Sequence, residues 1–90
     1  VTAEGRVTVC NRKGLHARAA AKFCTLAAGF DAATTVTKDQ TTVGGASLMA
    51  LLMLGAAKGS ELTIRAEGPE ADEAVAALTD LVEARFGEED

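Results

Sequence analysis

The 90-residue chain has no tryptophan and no tyrosine, one proline, one histidine and only three aromatic residues, Phe23, Phe30 and Phe86. Its hydrophobic content is 48%, much of it alanine, so the core is expected to be thin and aliphatic. Two cysteines, Cys10 and Cys24, could in principle form one disulfide, but they read better as buried free thiols acting as small hydrophobes. Together with His16 they have the wrong spacing and number for zinc, and no metal site is expected. No apolar run reaches the roughly 18–20 residues that span a bilayer, and no basic-then-apolar leader opens the chain. A single soluble, cytoplasmic domain over residues 1–90 is the expectation, without membrane insertion.

Acidic residues are missing from one part of the chain. Residues 5–30 hold five cations (Arg6, Arg12, Lys13, Arg18 and Lys22) and no Asp or Glu, whereas residues 61–90 hold ten acids against Arg65 and Arg85. The formal net charge of −4 hides this asymmetry. A broad basic face with aromatic readers is absent, which argues against nucleic acid. A compact basic patch suits a single phosphoryl group or a small acidic protein surface.

What is present is patterned. Arg6 to Cys10 alternates and reads as a strand. Asn11-Arg12-Lys13-Gly14 reads as a loop, and Ala17 to Ala28 as a helix stopped by Gly29. Ala33 to Lys38 and Thr41 to Val43 form a β-branched hairpin around Asp39-Gln40. Ser47 caps a short helix, Leu48 to Leu54, that Gly55 closes. Glu61 to Glu67 alternates as a last strand, and a long helix begins at Pro69 and ends at Gly87. The order βαββαβα predicts an α+β sandwich of two layers. No GxxxxGK[ST] phosphate loop is present, and Gly44-Gly45 is too short to be one.

The chemistry concentrates at residues 14–18, Gly-Leu-His-Ala-Arg. His16 stands at or beside the N-cap of the alanine-rich helix. The unpaired N–H donors and positive end of such a helix can hold an anion. An imidazole there can be nucleophile and leaving group in turn, and Arg18 offers a fork for phosphate oxygens. The amides of Ala17, Arg18 and Ala19 complete a phosphate cradle. The short helix is apolar on every side, more than one sheet can cover. Leu51 and Leu54 are assigned to the core; Leu48, Met49, Leu52 and Met53 are the candidate partner surface, with Leu48, Met49 and Met53 the most exposed of them. The acidic last helix and the tail Glu88-Glu89-Asp90 read as a solvated face.

Gly14-Leu15-His16-Ala17-Arg18, followed by Ser47-Leu48-Met49 and Leu54-Gly55, resembles HPr, the histidine phosphocarrier family of the bacterial sugar phosphotransferase system. The resemblance runs from about Arg6 to Phe86 in motif order and spacing. It implies an open-faced sandwich whose four-stranded antiparallel sheet has the order 1-4-2-3. It implies that His16 accepts a phosphoryl group on Nδ1 from enzyme I, charged by phosphoenolpyruvate, and passes it to enzyme IIA proteins. Such a protein is a covalent carrier, not an enzyme, a monomer without cofactor. Ser47 matches the serine that an HPr kinase/phosphorylase modifies in some bacteria; both a plain cap and a regulatory site stay open. So do the sugar-uptake and nitrogen-related branches, and a regulatory binding protein of the same fold is the main rival.

Two departures stand out. Ala19 replaces the proline that most members carry after the arginine, which adds a donor and loosens the helix start. Gly44-Gly45-Ala46 precedes Ser47 where many members are bulkier, predicting a more mobile approach to the short helix.

Overall fold

The computed structural model describes residues 1–89, so Asp90 of the acidic tail lies outside the described residues. Seven regular elements follow one another: β1 (Thr2–Thr8), α1 (Ala17–Ala28), β2 (Ala33–Lys38), β3 (Thr41–Gly44), α2 (Leu48–Met53), β4 (Glu61–Glu67) and α3 (Ala71–Glu83), with a 3₁₀ turn at Arg85–Gly87. The strands form one antiparallel sheet in the order β1-β4-β2-β3. The fold is the expected α+β open-faced sandwich.

Alternation along the strands builds the core. Leu62, Ile64 and Ala66 of β4 point inward and are fully buried, as is Val36 of β2 opposite Ile64. Helix α1 supplies Ala19, Ala20, Phe23 and Ala27 to the same core, and α3 supplies Ala71, Ala74, Val75, Leu78 and Val82. Alanines at these positions let the helices lie close to the sheet. Gly5 of β1 takes this furthest, since a Cβ there would sit 3.0 Å from Val75 Cγ1.

Strand β1 begins earlier than the expected Arg6 and ends at Thr8, before Cys10. Its register runs from Thr2↔Glu67 to Thr8↔Glu61, so β4 sets its length. The inward residues at its start, Ala3 and Gly5, are too small to show as hydrophobic alternation. Val9 lies beyond the strand yet is buried, and it continues the backbone pairing by donating to Ser60 O (2.8 Å) and accepting from Gly59 N (2.8 Å).

Helix α3 also departs from expectation. It stops at Glu83, four residues before Gly87, and the chain reverses through two left-handed residues, Arg85 (φ 59°) and Phe86 (φ 55°). Left-handed backbone costs about 1–2 kcal/mol per residue. Burial of the whole Phe86 side chain offsets that cost, at about 25 cal/mol per Å² of apolar surface. The cysteines are free, as expected, but half-buried rather than buried. The Cys10 thiol faces the carbonyls of Val82 and Glu83 at 3.5 and 3.6 Å, and burial pushes the Cys24 thiol up.

Gly45 has a packing reason where mobility was expected. It is buried, its N–H donates to Thr34 O at 2.9 Å, and a Cβ would meet Thr34 Oγ1 at 2.6 Å. The approach to α2 is held against β2. No helix among the described residues is long and apolar enough to cross a membrane.

Candidate functional site

The loop from Asn11 to Leu15 delivers His16 to the start of α1. Gly14 turns it with φ +67°, its N–H donating to Asn11 O (3.2 Å), and Leu15 N–H donates to Ala56 O (2.8 Å). The histidine loop is thereby stitched to the segment that follows α2.

His16 is the N-cap of α1, with extended backbone (φ −76°, ψ 178°) and no side-chain capping bond. The ring is therefore free for other work. Ala20 N–H donates to His16 O at 2.8 Å and opens the helical ladder. The amides of Ala17, Arg18 and Ala19 lie ahead of that ladder, where a helix can offer N–H groups to an anion. Ala17 and Arg18 are exposed, whereas Ala19 is fully buried in the core, so its side chain anchors the first turn. The Arg18 guanidinium makes no ion pair among the described residues and lines a shallow cleft with Arg12, Lys13, Glu88 and Glu89.

The sequence reading missed two residues here. Glu88, read as part of a solvated tail, places Oε2 against His16 Nε2, and the two side chains remain 20% and 25% exposed. Its Oε1 accepts from Asn11 Nδ2 at 2.9 Å. Asn11 is fully buried, and the same Nδ2 also donates to Gly14 O at 2.9 Å. Asn11 Oδ1 is buried without a partner. Orienting the amide to serve two acceptors thus leaves one acceptor unsatisfied, a cost of about 1–3 kcal/mol. The Asn11 amide holds the Glu88 carboxyl below the usual carboxylate range; the His16 hydrogen bond, the His16 charge and Lys13 act in the same direction, against partial desolvation.

The tail is fixed upstream of Glu88. Lys22 of α1 donates from Nζ to Phe86 O at 2.7 Å, and Glu88 N–H donates to Arg85 O at 2.9 Å. The one signal for this in the sequence was complementarity of charge: an acid-free basic segment and an acid-rich terminus attract each other.

Beyond His16, α2 exposes the residues expected of it. Leu48 is 40%, Met49 68% and Met53 81% exposed, while Leu51 and Leu54 are buried. Leu52 differs from the other three candidates: it is half-buried and packs against the core. Ser47 is exposed and caps α2 by accepting from Ala50 N–H at 3.3 Å.

Comparison with known proteins gives a consistent result. A family model described as the PTS HPr component phosphorylation site matches residues 3–84. Phosphocarrier protein NPr of Shewanella violacea is 44% identical over 85 residues, covering 94% of this chain and 93% of its own. Phosphocarrier protein HPr of Neisseria meningitidis is 44% identical over 82 residues, covering 91% and 92%. Among solved structures, HPr-C-His from Thermoanaerobacter tengcongensis superposes with a TM-score of 0.93 at 40% identity, over 97% of this chain and 98% of that one.

Proposed function

The chain belongs to the HPr family of phosphocarrier proteins of the phosphotransferase system, and from that premise we propose that His16 is its phosphoryl acceptor, with Arg18 and the first amides of α1 as the phosphate cradle. The observation that carries this reading is an N-cap imidazole that does no capping, at the head of a helix and two residues before an exposed arginine.

A phosphorylated imidazole is a phosphoramidate, so its exchange with another histidine is close to isoenergetic. A carrier of this kind needs positioning and charge stabilisation more than strong acid–base catalysis. The Ala17 and Arg18 amides and the Arg18 fork meet those needs for a dianion, with Ala19 N–H next in the turn. Enzyme I, charged by phosphoenolpyruvate, is the donor and an enzyme IIA protein the acceptor. The protein acts as a monomer in the cytoplasm, in contact with both through the exposed side chains of Leu48, Met49 and Met53, with Leu52 shaping the base of that patch. Methionine side chains adapt to several surfaces, which suits a carrier with more than one partner. Ser47 is exposed at the edge of the same patch, which supports reading it as a residue an HPr kinase/phosphorylase modifies as well as a helix cap. Relatives named HPr and NPr are equally identical at 44%, and the choice of branch rests with the cognate enzyme I.

The test is incubation with cognate enzyme I and phosphoenolpyruvate. Acid-labile, base-stable label on His16, absent from a folded His16→Ala variant, is the expected result. No label, with binding through α2 retained, would instead make the protein a regulatory binder.

A further inference from the structure

We propose that Glu88 is a positioning residue: it holds the neutral His16 ring in the tautomer that carries its proton on Nε2, leaving the Nδ1 lone pair to receive phosphoryl. The proposal rests on His16 being the acceptor and says how the ring is prepared for that role.

The two carboxylate oxygens have separate duties. Oε2 faces His16 Nε2, while Oε1 is engaged by the buried Asn11 amide. An ionised carboxylate only accepts, so the ring nitrogen against it must be the one bearing hydrogen. In a neutral imidazole the other nitrogen then carries the lone pair. The arrangement parallels the general case in which a carboxylate behind an imidazole sets both tautomer and orientation.

The placement is built rather than incidental. Glu88 lies 72 residues from His16 and 77 from Asn11, and the chain reaches them through the left-handed pair Arg85 and Phe86. The buried Phe86 ring and the Lys22 bond to its carbonyl hold that reversal. Asn11 ties the carboxylate to the Gly14 carbonyl, two residues before His16, so ring and carboxylate share one frame.

The transfer step balances without moving a proton. The Nδ1 pair forms the N–P bond, the bond from phosphorus to the donor nitrogen breaks, and the donor keeps that pair. His16 retains its Nε2 proton, so the ring gains a formal positive charge directly beside the Glu88 carboxylate. In the reverse direction the same protonated ring leaves as neutral imidazole. Glu88 thereby stabilises the charge that appears on loading, and Asn11 keeps it from swinging away.

Nitrogen-15 NMR of the histidine ring, about two pH units above the ordinary imidazole value, reads the tautomer directly. The wild-type protein should show the Nε2–H form in large excess; a ring dominated by Nδ1–H overturns the proposal without any variant. Glu88→Ala should bring both tautomers to comparable populations. It should also slow labelling by the small donor phosphoramidate by about tenfold, with part of the label on Nε2. A folded Glu88→Ala protein with the wild-type tautomer ratio would reduce Glu88 to a tail tether and sink the idea. Should the wild-type protein take no label from phosphoramidate or enzyme I, the carrier reading falls, while the ring spectra still decide what Glu88 does to His16.

Discussion

Gly14 and Ala56 are in contact at a point where no side chain fits: a Cβ on Gly14 would lie 2.6 Å from the Ala56 carbonyl oxygen and 2.9 Å from Ala57 Cα. That same carbonyl accepts the Leu15 N–H at 2.8 Å, so the close approach and the bond that sets His16 are one feature.

Gly14→Ala should therefore be costly on two counts, a left-handed φ of +67° and a backbone clash. A loss of more than about 2 kcal/mol is expected, which in a domain of this size lowers Tm by roughly 10 °C or more. Gly44→Ala, where nothing lies within 4 Å of the added methyl, should change Tm little. Thermal melts of the two variants side by side check the difference; equal shifts would refute the close approach.

Arg18→Ala should separate function from stability. The side chain is exposed and without an ion pair among the described residues, so unfolding free energy should move by no more than about 0.5 kcal/mol. Phosphoryl transfer from enzyme I should slow on the order of a hundredfold, as for loss of one charge-stabilising donor. Quench-flow rates with denaturant titrations give both numbers, and an unaltered rate would remove Arg18 from the cradle.

Acid should release the tail. The Glu88 carboxyl is held below its ordinary range, first by the Asn11 amide, so the folded protein binds that proton less readily than the unfolded chain. The stabilisation is fully present above the ordinary carboxylate range and is lost as pH falls through the depressed value. Comparing wild type with Glu88→Gln across this window should show a stability difference that shrinks toward acid. A difference that grows on acidification would contradict the sign.

Ser47 distinguishes a cap from a switch. Ser47→Ala removes the bond from Ala50 N–H and should cost about 0.5–1 kcal/mol. Ser47→Asp keeps a good capping group, so stability should hold while its charge beside Met49 weakens binding to enzyme I or enzyme IIA. Calorimetric titration decides this: unchanged affinity for Ser47→Asp would leave Ser47 as a cap alone.

Much of this was legible from local pattern. Helix α1 and strands β2 and β4 have the boundaries their residues announce, because alternation, β-branching and a glycine stop act within a few residues. The exposure of Leu48, Met49 and Met53 follows from a six-residue helix having too much apolar surface for one sheet. The start of β1 was not legible, since Ala3 and Gly5 are small for the sake of the helix above them. The end of α3 was hidden for another reason. Its residues remain compatible with helix through Phe86, and burial of that ring, a tertiary gain, ends it early.

By itself the sequence determined where the histidine stands: at the head of α1, among cations, because capping and the helix start are set by neighbours along the chain. Only the tertiary structure decided what stands behind the ring. Glu88 meets it from 72 residues away and is held there by the Asn11 amide, through a left-handed reversal paid for by one buried phenylalanine. No periodicity encodes a meeting of that kind, since it depends on how layers pack and not on how any single element repeats.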